Sequence, residues 1–416
     1  MLSLAPLAAL LILGFLAPGI ASSGQGATKS PISVPITKQT QHFHRVDSTI
    51  VDFDKLNAHL TYVRNKYSRT FANFRANTGV AHPLQDQDLT LQEQLRQASG
   101  TVALKDFKDM LWTGRIAFGQ PAQSVVVQFD TGSTDTVVTR GAYVPERSST
   151  SVRTSKRFNA IYADGTSASG IVYKDTVTIG GLQAPSAAIG LSDSQFLDPE
   201  NEGGNQGISG LAFQNASEFK LPGFFDSLSS AGVLSAPVFS FRLATTGSTL
   251  TLGGYDKAHI SGAITWLPVD PAYGVWVVPG RVNGFGPLPY TIMDTGTSAI
   301  VAPVADALTL FKNLGMQVRN YTGELTGIQR DDGMILGTFP CSSPPKITFT
   351  FAGRIVTMAG ASQTLGTFFD GACISSIIGI NLGLRRTWIF GDPFLRSVIS
   401  IFDKGHLRFG LATPAR

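Results

Sequence analysis

The sequence predicts an almost entirely β protein built from two related lobes. From residue 101 onward, short apolar alternations are interrupted by glycine about every ten residues, which is typical of strands joined by turns. The segments VVVQFDTGS (125–133) and YTIMDTGTS (290–298) repeat one pattern, an apolar strand that ends in Asp-Thr-Gly. The chain has 416 residues, more than one ordinary core holds, and a duplicated fold would account for this length.

Six segments of this region have the alternation of apolar and polar residues that strands show. They are WTGRIAFG (112–119), QSVVVQFD (123–130), GIVYKDTVTIGG (170–181), STLTLGGYD (248–256), KITFTFAG (346–353) and VISIFD (398–403). Two other segments predict helices, one in each half of the region: FFDSLSSAGVLSA (224–236) and VADALTLFKNLG (304–315). Strands therefore dominate both halves, as expected for a duplicated β fold.

Residues 1–21 are typical of a secretory signal peptide. Residues 2–18 are apolar and uncharged, and because small residues follow, we expect cleavage near Ala21. Pro6 and Pro18 bracket an apolar core that is too short for a comfortable membrane span. The sequence therefore predicts a protein secreted to the extracellular space, with the vacuole as the alternative compartment and no membrane partner.

Residues 22–100 differ in composition from the rest of the chain. They contain nine Lys and Arg residues against six Asp and Glu residues. They also hold four of the six histidines, which are His42, His44, His59 and His82. Apolar residues recur at helical spacing, with basic residues between them, at Leu56, Leu60, Val63 and Tyr67. This segment is therefore predicted to be a separate cationic unit.

Several function classes are excluded by what the sequence lacks. The net charge is +4, but the basic residues are not clustered, so we expect no nucleic-acid partner. The pair His42 and His44 has no neighbouring cysteine or carboxylate, so we expect no metal, and we expect no cofactor. Outside residues 22–100 the histidines are His259 and His406, and neither lies beside a candidate nucleophile.

The two Asp-Thr-Gly loops contain the residue types needed to hold a carboxylate. Glycine permits a tight turn with exposed N–H groups, and the hydroxyl that follows it can donate to the outer carboxylate oxygen. The two threonines can lock the loops together. The residues concerned are Asp130, Thr131, Gly132 and Ser133 in the first loop and Asp294, Thr295, Gly296 and Thr297 in the second.

If a two-fold axis brings Asp130 and Asp294 together, their carboxylates cannot both ionise freely. Two charges ~3 Å apart repel by ~5 kcal/mol at an effective dielectric constant of ~20. The pair is therefore expected to share one proton over a wide acid range. The ionised aspartate can take a proton from water while the protonated one hydrogen-bonds to a peptide carbonyl, which is general acid–base hydrolysis.

The motifs together resemble those of the pepsin-like aspartic endopeptidases, in the form that fungi secrete. The resemblance extends over residues 101–416. Beside the two loops it rests on GRIAFGQPAQ (114–123), YADGTSASG (162–170), LTLGGYD (250–256) and IFGDPFLRSVISIFDKGHLRFGLA (389–412). It implies a bilobal pepsin-like fold with a cleft between an N-terminal lobe, 101–270, and a C-terminal lobe, 271–416. It also implies that Asp130 and Asp294 are the catalytic pair.

The resemblance assigns further residues. It implies a substrate-binding flap containing Tyr162, Asp164 and Gly165. It also implies a second-lobe disulfide between Cys341 and Cys373, which is also expected for an isolated cysteine pair in an oxidising compartment. Asn215 and Asn320 begin glycosylation triplets and are candidate sites in a secreted chain.

The sequence departs from the family pattern at three positions. Val137 stands where a tryptophan usually contacts the flap, and Ala163 replaces a flap glycine. Ser209 is a polar residue in an element that is usually apolar. None of these changes removes a catalytic group, but Val137 and Ala163 put the flap geometry in question.

The family resemblance implies that residues 22–100 are an inhibitory prosegment, with Lys66 nearest to the two aspartates. We expect acidification to protonate the cleft carboxylates and to charge all four histidines before any carboxylate of the segment titrates. The segment should then open and be cut between Gln97 and Lys105. The alternative is a disordered linker without an inhibitory role.

The sequence as a whole predicts a secreted aspartic endopeptidase that is active at acid pH and prefers bulky apolar residues around the scissile bond. Its expected partners are polypeptide substrates and its own prosegment, and we expect a monomer. The alternative function is a catalytically inactive pepsin-fold protein that binds or inhibits other molecules. Such proteins lose an aspartate or deform a loop, whereas both loops are complete here.

Overall fold

The computed structural model describes residues 29–39, 43–45, 48–86, 111–161, 167–197, 204–283, 285–321 and 333–415. Strands dominate these residues and form sheets of eight, six and ten strands. The eight-stranded sheet builds the first lobe and the ten-stranded sheet builds the second, while the six-stranded sheet takes strands from both halves of the chain. The almost entirely β, two-lobed fold predicted from the sequence is confirmed.

The strands of the first half follow one another in the order in which we number them. They are β1 (Ile32–Pro35), β2 (Thr37–Gln39), β3 (Leu111–Phe118), β4 (Gln123–Asp130), β5 (Thr136–Val138), β6 (Val152–Ile161), β7 (Ser167–Ile179), β8 (Leu182–Ser192), β9 (Gly207–Gly210), β10 (Val238–Arg242), β11 (Thr249–Leu252) and β12 (Ile260–Pro268).

The strands of the second half continue the numbering. They are β13 (Val277–Val282), β14 (Phe285–Met293), β15 (Ile300–Ala302), β16 (Gln317–Tyr321), β17 (Met334–Phe339), β18 (Thr348–Phe351), β19 (Arg354–Thr357), β20 (Thr364–Thr367), β21 (Cys373–Gly379), β22 (Thr387–Phe390), β23 (Ile399–Asp403) and β24 (Arg408–Pro414).

The described residues also contain α-helices, which are α1 (Phe53–Thr78), α2 (Phe224–Ser230), α3 (Val304–Asn313) and α4 (Asp392–Leu395). Helix α2 is shorter than the predicted segment 224–236, because Gly232 has a φ of +65° and its N–H closes the last turn on the Ser229 carbonyl. None of the described helices combines the length and the apolar composition needed to cross a bilayer.

Each lobe has the same strand arrangement around its Asp-Thr-Gly loop. In the first lobe β4 pairs in parallel with β9, and β9 pairs antiparallel with β5. In the second lobe β14 pairs in parallel with β22, and β22 pairs antiparallel with β15. Strands β5 and β15 also pair in parallel with β8 and β21, respectively. The repeated sequence motif therefore corresponds to a repeated topology.

The six-stranded sheet joins three regions of the chain. Its strand order is β1–β11–β10–β23–β24–β12, so the last two strands of the chain lie between strands from the first half. Strand β1 extends the edge of this sheet by pairing with β11, and β2 pairs with β3 in the eight-stranded sheet. Residues 32–39 are thus held to the rest of the protein by backbone hydrogen bonds.

Helix α1 is capped at both ends and buries one face. The Asp52 carboxylate accepts hydrogen bonds from the first-turn N–H groups of Asp54 and Lys55, and Gly79 ends the helix with a φ of +80°. Its apolar residues pack into one cluster with second-lobe residues that include Ile292 and Val301. The helix residues in this cluster are Leu56, Leu60, Val63, Tyr67 and Phe71. The predicted helical face therefore covers the second lobe.

The second lobe contains one disulfide bond. It joins Cys341 to Cys373 across 32 residues of sequence, with the two Cα atoms 5.1 Å apart. Cys373 is the first residue of β21, which pairs with β17 and β20. The bridge thus ties the loop after β17 to the sheet that supports the second Asp-Thr-Gly loop.

Candidate active site

Asp130 is the last residue of β4, and the turn that follows holds its carboxylate. The Gly132 N–H donates to Asp130 Oδ1 at 2.9 Å, and the Ser133 hydroxyl donates to Oδ2 at 2.6 Å. Asp130 is fully buried. Since a strand delivers the residue and the turn satisfies both oxygens, the carboxylate is fixed in one orientation.

Asp294 follows β14 and is held in the same way. The Gly296 N–H donates to Asp294 Oδ1 at 2.9 Å, and the Thr297 hydroxyl donates to Oδ2 at 2.6 Å. Asp294 is also fully buried. The two loops therefore repeat the same hydrogen bonds, with the glycine and hydroxyl residues in the roles that the sequence predicts for them.

Thr131 and Thr295 connect the two loops by reciprocal hydrogen bonds. The Thr131 N–H donates to Thr295 Oγ1 and the Thr295 N–H donates to Thr131 Oγ1, both at 3.0 Å. Each hydroxyl donates in turn to a carbonyl of the opposite strand end, Met293 for Thr131 and Phe129 for Thr295, both at 2.8 Å. The four bonds lie in the buried interface and fix the position of one loop against the other.

The third residue of each loop lies against the carboxylate of the other loop. A Cβ atom placed on Gly132 would lie 2.6 Å from Asp294 Oδ1, and one on Gly296 would lie even closer to Asp130. Any side chain at either position would therefore displace a carboxylate. Glycine is required here by the close approach of the two loops.

Lys66 and Tyr67 of α1 occupy the space in front of the two carboxylates. The Lys66 ammonium donates to Asp294 Oδ2 at 2.7 Å and to Asp130 Oδ1 at 3.2 Å. The Tyr67 hydroxyl donates to Asp294 Oδ2 at 2.9 Å. Lys66 and Tyr67 are buried, with exposed fractions of 1% and 0%. Helix α1 therefore excludes water from both aspartates.

The electrostatics of this cluster distinguish the two aspartates. Burial raises the pKa of Asp130, and the neighbouring Asp294 adds to this effect against the opposing charge of Lys66. Burial acts on Asp294 too, but the charge of Lys66 and the hydrogen bonds from Asp130 and Thr297 lower its pKa. Burial disfavours the Lys66 ammonium, yet the two aspartates outweigh it and raise its pKa. The arrangement favours a charged lysine, an ionised Asp294 and a proton on Asp130.

His59 is a contact of the second loop that the sequence did not indicate. The Ser298 N–H donates to His59 Nε2 at 3.0 Å, and both residues are buried. The ring nitrogen is an acceptor in this bond, so the bond requires Nε2 to be unprotonated. No spacing in the sequence relates a histidine of α1 to the residue after Thr297, because only the tertiary fold brings them together.

Val137 and Ser209, two departures from the family pattern, are accommodated beside the first loop. Val137 packs in an apolar cluster with Phe158 and Phe219. The hydroxyl of Ser209 forms a hydrogen bond of 2.9 Å with that of Thr136 on the neighbouring strand. The polar residue in this apolar element is therefore satisfied locally.

Other predicted residues lie outside the described part of the chain. This applies to Ala163, to the region of the expected cut between Gln97 and Lys105, to the signal peptide 1–21, and to the predicted flap residues Tyr162, Asp164 and Gly165. In the described part, β6 and β7 form the hairpin that leads to and from the flap segment.

The two glycosylation candidates differ in their surroundings. Asn320 is exposed on β16. The Asn215 side-chain nitrogen, the atom that would carry a glycan, donates to the Pro271 carbonyl at 2.8 Å, and Asn215 is only partly exposed. Asn215 therefore makes a side-chain contact within the protein, whereas Asn320 lies on the surface.

Metal ligands do not cluster in the described ranges of the chain: no group of three or more His, Cys, Asp or Glu side chains there is placed to hold an ion. The polar groups that converge at the site are carboxylates, hydroxyls and backbone N–H groups. These groups can bind and polarise a water molecule by hydrogen bonds alone.

The sequence model of the family described as "Eukaryotic aspartyl protease" matches residues 111–414. These residues include both Asp-Thr-Gly loops and all the described strands from β3 to β24. The chain therefore belongs to the eukaryotic aspartyl protease family, and it is an aspartic-type endopeptidase.

Similar proteins include two from fungi. "Secreted aspartyl protease 1" of Malassezia globosa is 36% identical over 408 residues, which cover 96% of this chain and 97% of the relative. "Aspartic protease" of Phaffia rhodozyma is 34% identical and covers 93% of this chain and 92% of its own length. "Cathepsin D" of Dictyostelium discoideum is 32% identical over 349 residues, 76% of this chain and 86% of its own.

Proposed function

We propose that the protein hydrolyses polypeptides at acid pH by general acid–base catalysis, with Asp130 and Asp294 sharing one proton. The observation that carries this proposal is the matched geometry of the two loops, in which both carboxylates are buried, hydrogen-bonded and adjacent. The ionised aspartate takes the proton of a water molecule, and the protonated aspartate gives its proton to the peptide carbonyl oxygen. We also propose a preference for bulky apolar residues around the scissile bond, because ligand sites in proteins are lined mostly by apolar side chains.

An inactive pepsin-fold binding protein is the second candidate, and the site argues against it. Every donor that would orient the two carboxylates is present, and each threonine makes both of its bonds across the interface. A protein that had lost catalysis would not need this complete set of contacts. We therefore assign the enzymatic function to this site.

We further propose that the chain is made as an inhibited precursor. The ammonium of Lys66 lies between the two carboxylates, in the position that a water molecule and a peptide would need. The ordered contacts of β1, β2 and α1 argue against the alternative of a disordered linker. Residues 22–100 then act as an intramolecular inhibitor until they are removed.

Release at acid pH is supported by His82, whose ring packs against Phe71 and Phe74 of α1. Burial lowers the pKa of His82 to about 4. Because the docked His82 resists protonation, docking loses stability as the pH falls below ~6.5 toward about 4.

The name of the Malassezia relative and the apolar N-terminus support secretion to the extracellular space. We propose a monomer with a carbohydrate chain, if any, on Asn320, because this residue is exposed. Peptides of the unreduced, secreted protein, analysed by mass spectrometry, would report the mature N-terminus and the glycan together.

The catalytic proposal is tested with the acid-treated protein and a statine-type inhibitor, which mimics the tetrahedral state between two aspartates. We expect hydrolysis of a peptide with apolar residues at the scissile bond, and complete loss of activity at one inhibitor per chain. Binding of the inhibitor without any hydrolysis would support the inactive protein instead. Hydrolysis that the inhibitor does not block would exclude the aspartate pair.

A further inference from the structure

A pocket beside the Asp130 loop has features that catalysis does not require. It lies between α1 and the first lobe, and its wall includes Asp135 and Glu218. Its apolar lining includes Val137, Ile208 and Phe219. The pocket wall also includes Ser133, whose hydroxyl donates to Asp130, so a group in this pocket lies close to the catalytic pair.

The two acidic residues are held in place by the lobe itself. Asp135 accepts the Ser217 hydroxyl at 2.6 Å on one oxygen and the Glu218 N–H at 2.7 Å on the other. Glu218 Oε1 accepts the N–H of Asn159, on the hairpin that leads to the flap, at 2.6 Å. Both carboxylates are therefore positioned by first-lobe residues, which remain when α1 leaves.

The segment that fills the cleft places a cation in this pocket. Arg69 lies one helical turn beyond Lys66 on α1, and it lines the pocket together with the two carboxylates. Burial raises the pKa of Asp135 to about 6, whereas the positive charge of Arg69 opposes this rise. Helix α1 thus brings a positive charge to the wall of this pocket, as it brings the Lys66 ammonium to the catalytic pair.

We propose that Asp135 and Glu218 form a specificity subsite that binds a Lys or Arg side chain of the polypeptide substrate. The inference rests on the proposed proteolytic function and deepens it. The apolar lining contacts the methylene groups of the basic side chain, and carboxyl oxygens of Asp135 and Glu218 accept hydrogen bonds from its charged end. The shorter Val137, where the family usually has a tryptophan, leaves more room for that side chain.

The test compares pairs of peptides that differ at one position, Arg in one and norleucine in the other, for each position flanking the scissile bond. With the acid-activated protein we expect one position at which Arg raises kcat/KM about tenfold, the scale of one hydrogen bond to a charged group. Glu218→Gln keeps an oxygen for the Asn159 N–H but removes the charge. The ratio of kcat/KM for the Arg peptide to kcat/KM for the norleucine peptide should therefore fall toward one. Glu218→Lys should reverse the charge preference, so that a peptide with Glu at this position is cleaved faster than the peptide with Arg.

Asp193→Asn is the matched control, because it removes an exposed first-lobe carboxylate that pairs with Arg157. The ratio should not change in this variant. Equal rates for Arg and norleucine at every position, or a ratio that survives both Glu218 variants, would overturn the subsite. The same ratio is also measured for Asp135→Asn. If the Asp135→Asn variant fails to fold, the Glu218 variants decide the outcome. Hydrolysis of neither peptide in any pair would instead refute the proteolytic function.

Discussion

The two Asp-Thr-Gly loops are nearly identical in their own hydrogen bonds, but α1 contacts them differently. Within each loop the glycine N–H and the hydroxyl hold the carboxylate at 2.9 and 2.6 Å. Lys66 lies 2.7 Å from Asp294 and 3.2 Å from Asp130. Tyr67 donates to Asp294, and His59 contacts Ser298 of the second loop.

This difference shows that the duplicated strands give the two aspartates the same frame, and that α1 makes their surroundings different. The strands around both loops are equivalent, so the frame alone gives the two carboxylates similar surroundings. The charge of Lys66 acts on both, yet the pKa of Asp294 is lowered while burial keeps the pKa of Asp130 raised. In the precursor, α1 therefore helps to decide which aspartate carries the proton.

The largest effect is expected from replacing either aspartate of the pair. Asp130→Asn and Asp294→Asn should each lower kcat by about 10²–10⁴-fold, because each removes one half of the acid–base exchange. The measurement is peptide hydrolysis by the activated protein at acid pH, with circular dichroism as the control for folding. Activity above a few per cent in one folded variant would break the equivalence of the two loops.

The next effect concerns the contacts of α1. Lys66→Met removes the partner of two buried carboxylates and should weaken docking by about 3–5 kcal/mol. Tyr67→Phe removes one bond to Asp294, so we expect a smaller loss of about 1.5–3 kcal/mol. The pH at which half of the precursor binds a statine-type inhibitor reports both losses.

The exposed Arg75→Met, on the same helix, is the control for this pair of variants and should leave that pH unchanged. An unchanged midpoint for Lys66→Met would show that α1 is held by its other contacts. A larger shift for Tyr67→Phe than for Lys66→Met would contradict the central position of the lysine.

His82 contributes a pH-dependent effect on docking. Its pKa is lowered to about 4 from a usual ~6.5, so protonation of the docked state costs up to about 3 kcal/mol as the pH falls through this window. His82→Gln should remove this dependence, and the variant precursor should need a lower pH for release. Titration of wild-type His82 near ~6.5 in the docked precursor, followed by NMR, would rule out this contribution.

The threonine contacts should give the smallest effect and the most symmetric one. Thr131→Val and Thr295→Val each leave the partner's N–H buried without its acceptor, at a cost of about 1–3 kcal/mol in the free energy of unfolding. Because the paired distances are equal, the two losses should agree within about 0.5 kcal/mol in urea unfolding of the precursor. Clearly unequal losses would mean that the two lobes depend differently on this contact.

The parts that could be predicted from the sequence are those set by local order along the chain. A strand followed by Asp-Thr-Gly and a hydroxyl residue forms a turn that its own sequence determines. Both loops could therefore be predicted. Lys66 was placed near the aspartates by family resemblance, and the structure brings it there. The helical face of α1 was also readable, because apolar residues at helical spacing must be buried together.

The parts that could not be predicted depend on contacts between distant segments. The prediction that all four histidines would charge before any carboxylate titrates did not include the burial of His82, which lowers its pKa to about 4. This ring is buried and stacks on Phe71 at 4.2 Å, and burial opposes its charge. Its Nε2 donates to the Tyr273 carbonyl, and its Nδ1 accepts the Leu84 N–H. The contacts of His59 with Ser298 and the proximity of Arg69 to Asp135 likewise have no signature in the sequence.

The central claim is that α1 blocks the two aspartates until acid releases it. The most direct measurement is active-site titration with a statine-type inhibitor, together with chain size, after the precursor is moved from neutral pH to about pH 4. The account predicts almost no titratable sites at neutral pH and a rise with time at acid pH, as α1 leaves and the chain shortens. A full count of sites in the intact precursor at neutral pH would contradict it.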